Sequence, residues 1–393
     1  MPISNKMKMF AENSSWIRRM FEEGAKMKAK YGAENVFDFS IGNPDAPPPA
    51  EFDQILQEVA EDKNPEVHGY TPAEGHLWVR DAIAKKISVE QEMIVNGTDM
   101  LMTYGAAGGL NIALKAILNP DEEVIVLAPY FVDYLHYIDN HGGEGRIVKT
   151  DKEFDLDLHA IEAALNHKTK AILINSPNNP SGQIYSERTL QELGAILRNA
   201  SKIHNQTIFI IADEPYRKII FDGHKVPSIL KAYTNSIVVT SFSKDLSLPG
   251  ERIGYLTVHP EIVEKEKLLQ ALVLANQILG FRNAPAIMQR VVGRYPDGSI
   301  DTSLYIKRRE SICSVLQEAG YEFTKPKGSF YIFPKSPIAD EVKFVAMLQN
   351  ERILTVPGRG FGTPGYFRIA FCVPEEIINK SLEGFKRTLK EVI

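Results

Sequence analysis

The sequence predicts an α/β protein, a mainly parallel sheet flanked by helices, joined to a smaller α+β domain. Three observations carry this expectation. Four short runs, Glu123–Ala128 (EVIVLA), Ala171–Asn175 (AILIN), Thr207–Asp213 (TIFIIAD) and Ser236–Ser241 (SIVVTS), are rich in β-branched residues and scarcely alternate with polar ones. Strands of that kind are buried on both faces, as in a parallel sheet covered by helices. Helical patterns such as Glu187–Lys202 lie between them, the alternation that builds right-handed crossovers. After about Gly293 the character changes: a long helix is expected over Ser303–Ala319, then short strands in SFYIF, ILTV and YFRIAF.

The chain has 393 residues, too many for one ordinary core. We expect a large domain over residues 46–293 and a small one made of residues 1–45 and 294–393. A helix is expected from Ser14 to about Tyr31, where Trp16, Met20, Phe21 and Met27 recur at near-helical spacing, and SIGNPDAPPP (Ser40–Pro49) is a breaker-rich connection. Hydrophobic residues make up 44 % and charged residues 24 %, with a net charge of −5. That balance argues against a polyanion-binding surface, so no nucleic-acid partner is expected. Cys313 and Cys372 form neither metal-ligand spacing nor a disulfide framework, which points to a reducing, cytoplasmic setting. The N-terminus lacks the apolar run of a signal peptide, and no apolar run approaches the ~20 residues that span a bilayer.

In an open parallel sheet, ligands sit at the carboxyl ends of the strands. Four such ends carry unusual polar residues. In MTYGAAGGLNIALKAIL (Met102–Leu118) a small-residue turn at Gly105 opens a helix whose first N–H groups, at Ala106 and Ala107, make an anion site; taken alone, it reads better as a helix packed closely through small residues. In INSPNNPSGQIY (Ile174–Tyr185) the breakers aim Asn179 at the strand tips, or are ordinary turn chemistry. In IIADEPYRKI (Ile210–Ile219) Asp213 ends an apolar run, and a buried carboxylate is costly unless paired or hydrogen-bonded; Tyr216 points into the same region. In VTSFSKDLSLPGERIGY (Val239–Tyr255) Ser241, Ser243, Lys244 and Arg252 are either turn and surface residues or parts of one site.

Together these ends supply an anion cradle (Gly105, Ala106, Ala107, Ser241, Ser243 and Arg252), a carboxylate, hydrogen-bond donors and a lysine. That set suits a phosphorylated pyridine aldehyde. The lysine condenses with the aldehyde, the carboxylate keeps the ring nitrogen protonated, Asn179 and Tyr216 bond the phenolic oxygen, and the phosphate fixes orientation.

On these motifs the chain resembles the fold-type I pyridoxal-phosphate enzymes, class I/II aminotransferases of the aspartate-aminotransferase-like kind. The resemblance runs from SIGNPD to YFRIAF. The family's N-P-x-G stands as Asn179-Pro180-Ser181-Gly182, its D-x-x-Y as Asp213 and Tyr216, and its S-x-S-K with a downstream R-x-G as Ser241, Ser243, Lys244, Arg252 and Gly254. The resemblance implies pyridoxal 5′-phosphate as cofactor, Lys244 as Schiff-base lysine and Asp213 as partner of the pyridinium nitrogen. It implies that Phe131 in APYFVDY stacks on the cofactor ring, and that Tyr70 reaches the phosphate of a neighbouring subunit in a homodimer with shared sites. It further implies that Arg368 in FRIAF grips the substrate α-carboxylate and that Gly42 lets backbone approach the substrate. Many relatives carry a hydroxyl residue or lysine where Ala106 or Ala107 stands, so here the phosphate would rest more on Ser241, Ser243 and Arg252.

The function implied is ping-pong transfer of an amino group from an L-amino acid to a 2-oxo acid, possibly of aspartate/glutamate type. A carbon–sulfur β-lyase of the same fold is the alternative, because cofactor-site residues serve both. A non-enzymatic regulatory module is disfavoured by the presence of Lys244. A dicarboxylic substrate needs a second cation, for which Arg18 and Arg282 are candidates, each with a surface ion pair as its plainer reading. Other features carry less. VPGRGFGTPG (Val356–Gly365) lacks the Lys-Ser/Thr pair and helix of a phosphate loop and reads as a turn. His136 and His141 lack a metal-site pattern, and Lys6, Lys8, Lys26, Lys28 and Lys30 read as solvated faces.

Overall fold

The computed structural model describes residues 2–12 and 16–392, without the side chains of residues 11, 12, 17 and 18. Its strands, in chain order, are β1 (Phe37–Asp38), β2 (Met100–Thr103), β3 (Glu123–Ala128), β4 (Glu144–Lys149), β5 (Thr169–Asn175), β6 (Phe209–Asp213), β7 (Ser236–Ser241), β8 (Gly254–Val258), β9 (Tyr331–Ile332), β10 (Ile353–Leu354), β11 (Val356–Pro357) and β12 (Phe367–Ala370). Among the described residues, seven strands build the central sheet in the order β2–β8–β7–β6–β5–β3–β4. The pairings from β7 through β6, β5 and β3 to β4 are parallel. β8 opposes both β7 and β2, so β2 runs with the parallel set.

Both faces of this sheet are covered, which explains the unalternating runs. On β5, Ile172 and Ile174 join one apolar cluster with Met100, Ile125, Ile210 and Val238. Their neighbours Ala171 and Leu173 join the other, with Val124, Val126, Ile211 and Val239. Successive side chains point to opposite faces, so a strand covered twice must be apolar at every position. Each fully buried Val, Leu or Ile contributes about 1.5–3 kcal/mol. The edge strand β4 is exposed along most of its length, and its sequence EGRIVK accordingly gives no apolar signal.

The predicted helices form nearly as expected. Glu187–Ile203 starts at Ser186, whose side chain accepts from Thr189 N, and buries Leu190, Leu193, Leu197 and Ala200 along one face. Ser303–Ala319 ends on Gly320 at φ 97, a left-handed cap that glycine adopts without a Cβ penalty. The helix expected from Ser14 is described over Trp16–Tyr31, Ser14 itself lying outside the described residues, and a further helix, Asn5–Glu12, precedes it.

A second apolar cluster gathers Phe39, Tyr305, Ile312, Leu316, Phe330, Phe333, Phe344 and Phe367, together with Phe154, Tyr216, Ile219 and Phe221 from the sheet-bearing part. The chain passes between clusters around residues 295–300: Tyr295 packs on the sheet side and Ile300 on the other. Here β1 pairs in parallel with β10, and β12 is flanked antiparallel by β11 and β9. The expected strands SFYIF and ILTV shrink to two-residue pieces. Ser329 sits at φ 61 before β9, and Pro334 follows soon after it without an N–H to give a ladder. VPGRGFGTPG is a turn, β11 followed by a short 3₁₀ segment, Gly358–Phe361, with Arg359 Nε donating to Glu341 at 2.8 Å. Among the described residues no helix is long and apolar enough to cross a membrane.

Candidate active site

The carboxyl ends of β2, β5, β6 and β7 share one edge of the sheet. The amino end of the reversed strand β8 meets them there, with Ser241 opposite Gly254. Arg252 stands in the turn before β8, in the left-handed region at φ 52, with Nη1 donating to Pro249 O at 2.8 Å. A cavity of about 250 Å³ opens at this edge, and it is lined by Gly42, Ala106, Ala107, Phe131, Asn179, Asp213, Tyr216, Ser241, Ser243, Lys244, Arg252 and Arg368. Twelve of the residues singled out from sequence thus converge on one space, from segments more than 300 positions apart.

One end of the cavity is built on a bare helix N-terminus. Gly105, at φ 69, starts the helix Gly105–Ile117, and the preceding Tyr104 provides no side-chain cap. A Cβ on Gly105 would lie 3.0 Å from Arg252 Nη2, so the glycine lets the guanidinium close on the first N–H groups. Ser241 caps the one-turn helix Phe242–Asp245 by accepting from Ser243 N, and that turn presents Lys244 to the cavity. Phe131 lines the wall, edge-on to Tyr134.

Lys244 Nζ donates to Gly42 O at 2.8 Å. Burial draws its pKa down to about 8, and the nearby charges of Arg252 and Arg368 add to the lowering. Against the usual 10.5, that lowering puts far more of the amine in the neutral form at a given pH, the form a nucleophile or base needs. Asp213, 6 % exposed at the end of β6, is held by Tyr134 Oη donating to Oδ2 at 2.5 Å and by Asn175 Nδ2 donating to its backbone carbonyl. Oδ1 is buried with no hydrogen-bond partner. Burial raises the Asp213 carboxyl to about 7; the Tyr134 hydrogen bond opposes this and Glu214 adds to it. An orphaned buried carboxylate oxygen calls for a cation or an N–H to face it.

Arg368 is 2 % exposed on β12. Its Nη1 donates to Asn179 Oδ1 at 3.1 Å and its Nη2 to Ser40 O at 2.5 Å, while Nε has no partner. Its guanidinium lies between the rings of Tyr331 at 4.7 Å and Phe361 at 4.9 Å. Such a clamped guanidinium can take a carboxylate. Gly42 lines the cavity and is packed tightly there: a Cβ would lie 1.8 Å from Tyr331 Oη. Gly42→Ala is expected to force Tyr331 or the segment 41–43 aside and to cost about 1–3 kcal/mol, as overpacking does, read by urea unfolding.

Other residues singled out from the sequence stand outside this chain's cavity or outside the described side chains. Tyr70 is 89 % exposed and does not line the cavity. Arg282 is exposed in a loop, at φ 62, and also does not line it. The side chain of Arg18 lies outside the described residues. His136 meets Phe10 edge-on, and His141 Nε2 lies 3.1 Å from Asn111 Oδ1. Lys6 pairs with Asp139 and Lys28 with Asp38.

Conversely, Tyr134, Tyr137, Asn175 and Tyr331 line the cavity unanticipated. Tyr134 stands three residues after Phe131 in a segment already singled out, and Asn175 ends a predicted strand; those spacings were available signals. Asp245, for which the sequence offers no account, lies beside a buried lysine: Lys86 Nζ is 3.6 Å from its carboxylate. Its backbone O also accepts from Ile300 N at 2.8 Å, anchoring the turn that carries Lys244.

A lysine of lowered pKa, a carboxylate with one orphaned oxygen, a bare helix N-terminus beside a guanidinium, and a second, buried guanidinium thus surround one cavity. The family model for aminotransferase class I and II matches residues 34–385. The aspartate aminotransferase of Thermotoga maritima is 30 % identical over 375 residues, 93 % of this chain and 95 % of that one. Aromatic-amino-acid aminotransferase 2 of Thermococcus litoralis is 28 % identical, covering 100 % of this chain and 99 % of its own length. Among solved structures, an aminotransferase from Eubacterium rectale superposes with a TM-score of 0.96 at 39 % identity, covering 100 % of this chain and 99 % of that one. The chain belongs to the class I and II aminotransferases and is an aminotransferase of that fold. The carbon–sulfur lyase alternative finds no support among these relatives.

Proposed function

We propose that this cavity binds pyridoxal 5′-phosphate and moves an amino group between an L-amino acid and a 2-oxo acid, Lys244, Asp213 and Arg368 being its working groups. The observation that carries this reading is Asp213, whose buried Oδ1 has no partner in the chain while its Oδ2 is held at 2.5 Å. A protonated pyridine nitrogen is the partner that such an oxygen suits. When bound, the cofactor supplies an aldehyde carbon and an electron-withdrawing ring.

The chain's own residues do the rest. The N–H groups of Ala106 and Ala107, the hydroxyls of Ser241 and Ser243 and the Arg252 guanidinium hold the phosphate. Phe131 covers one face of the ring. Tyr216 Oη and Asn179 Nδ2 donate to the phenolic oxygen, Asn179 Oδ1 being engaged by Arg368. Arg368 fixes the substrate α-carboxylate with its unpartnered Nε. Lys244 Nζ removes the proton from the substrate α-carbon and later returns one, as base and then acid.

The names of the relatives suggest aspartate-type or aromatic amino donors. A dimer in which Tyr70 completes the partner's phosphate site accounts for a tyrosine that is 89 % exposed. The architecture is then a cofactor-binding domain of residues 46–293 and a small domain of residues 1–45 and 294–393, with the site between them, in a cytoplasmic enzyme.

A panel of amino donors against 2-oxoglutarate tests the reading. Amino-group transfer is expected with aspartate, an aromatic amino acid or both, with ping-pong kinetics. Release of pyruvate and ammonia from single amino acids, without transfer, would overturn it. In Arg368→Ala, kcat/KM for the preferred donor is expected to fall about a hundredfold or more, as for a buried charged hydrogen-bonding pair broken from one side.

A further inference from the structure

We propose that Tyr331 is a positioning residue, which carries occupancy of the Arg368 carboxylate site to Tyr216 through the hydrogen bond between the two phenols. This role rests on the cofactor assignment above.

Tyr331 stands on β9, opposite Ala370 of β12, two residues on from Arg368. It is buried and touches both halves of the site. Its Oη lies 3.2 Å from Tyr216 Oη, and the rings meet edge-on at 5.7 Å. The Arg368 guanidinium sits 4.7 Å from its ring centroid. The missing Cβ of Gly42 leaves the room that Tyr331 Oη fills.

A hydroxyl has one proton, so in a pair of phenols one donates and the other accepts. If Tyr331 donates, Tyr216 Oη keeps its proton for the cofactor's phenolic oxygen. The guanidinium polarises the Tyr331 ring and opposes the rise that burial imposes on its phenol pKa, which strengthens its donation. A carboxylate on Arg368 cancels that charge and weakens the donor. Tyr216 then donates less strongly, the phenolic oxygen is less stabilised, and the linkage between Lys244 and the cofactor holds its proton to higher pH.

The charged and titratable groups around Tyr331 are Arg368, Cys372, Tyr216 and Tyr305; around Tyr216 they include Asp213 and Arg368. The Cys372 thiol is pushed up to about 12, so it stays neutral in the working range.

The test is an absorbance titration of the cofactor-loaded protein against pH. Wild type, Tyr331→Phe, Tyr216→Phe and the double variant are titrated with and without saturating succinate or 3-phenylpropionate, which carry no amino group. Tyr331→Phe is expected to raise the absorbance pKa of the free protein by about half a unit to one unit, the scale of one hydrogen bond. It should cut the carboxylate-induced rise to less than half, the remainder being the ligand's direct charge. In the Tyr216→Phe background the same substitution should change nothing further, since coupled residues are not additive. Thermal unfolding of the cofactor-free variants checks that the fold survives. Equal pKa values and equal carboxylate shifts in wild type and Tyr331→Phe overturn the role of Tyr331, as does full additivity with Tyr216→Phe. A wild type that takes up no coloured cofactor overturns the cofactor assignment itself, and this role with it.

Discussion

Lys244→Ala is expected to lower amino-group transfer by about ten-thousand-fold, the upper range for loss of a positioned acid–base group. The loss should fall on kcat rather than on KM, because Arg368 and the phosphate cradle are untouched. The fold should survive: Lys244 lines an open cavity, so truncation seals no new void. Stability gives a second, independent reading. Burial lowers the amine from 10.5 to about 8 in the folded, cofactor-free chain. The folded state then binds fewer protons than the unfolded state between those values, so stability rises with pH across that window. Below pH 8 the fold bears the full cost of the buried charge. Cofactor-free Lys244→Ala should therefore lack the rise between pH 8 and 10.5 and be relatively favoured at pH 7. Denaturant unfolding at three pH values checks this. Retained transfer would remove Lys244 from the chemistry. A wild-type pH slope that persists in the variant would mean the amine is not desolvated.

The sheet was legible in the sequence because burial on both faces leaves a uniform apolar run, and EVIVLA and SIVVTS became β3 and β7 with the expected ends. Strands that break that rule were not legible. β4 is an exposed edge, β1 has two residues, and β8 follows a turn whose direction no residue pattern reports. The reversal of β8 matters to the site, since it puts Arg252 at the same edge as Lys244. Residues with unusual chemistry at strand ends were found because polar groups there stand out against apolar runs. Tyr331 did not stand out, since it sits among aromatics in a segment that reads as core, and only the fold brings its hydroxyl to Tyr216; Tyr134 shared a singled-out segment with Phe131, but its bond to Asp213, 79 positions on, needed the fold. Asp245 and Lys86 are 159 positions apart, a pairing no local spacing reveals.

Asp213→Asn is expected to pull activity and stability in opposite directions. Asparagine has the same shape and can still accept from Tyr134, so the local geometry should hold. It carries no charge, however, and cannot keep a ring nitrogen protonated. Losing one preorganised electrostatic partner in a buried site typically costs about a hundred- to a thousandfold in kcat. Stability should move the other way. Burial raises the carboxyl from 3.8 to about 7 in the cofactor-free fold. The folded state then binds more protons than the unfolded state between those values, so stability falls as pH rises from about 4 to 7. Above pH 7 the charged, half-orphaned carboxylate is a standing cost that asparagine does not have. Cofactor-free Asp213→Asn should thus unfold at higher temperature than the wild type at pH 8, and the difference should vanish near pH 4. Adding pyridoxal phosphate should reverse the order, since only the wild type gains the ion pair. Transfer within tenfold of wild type would remove Asp213 from the ring nitrogen. Identical melting at pH 8 would mean that the site, not the ligand, already satisfies the carboxylate. On the proposed reading the carboxylate costs the cofactor-free fold stability that the bound state recovers, the pattern expected where function sets a residue against stability.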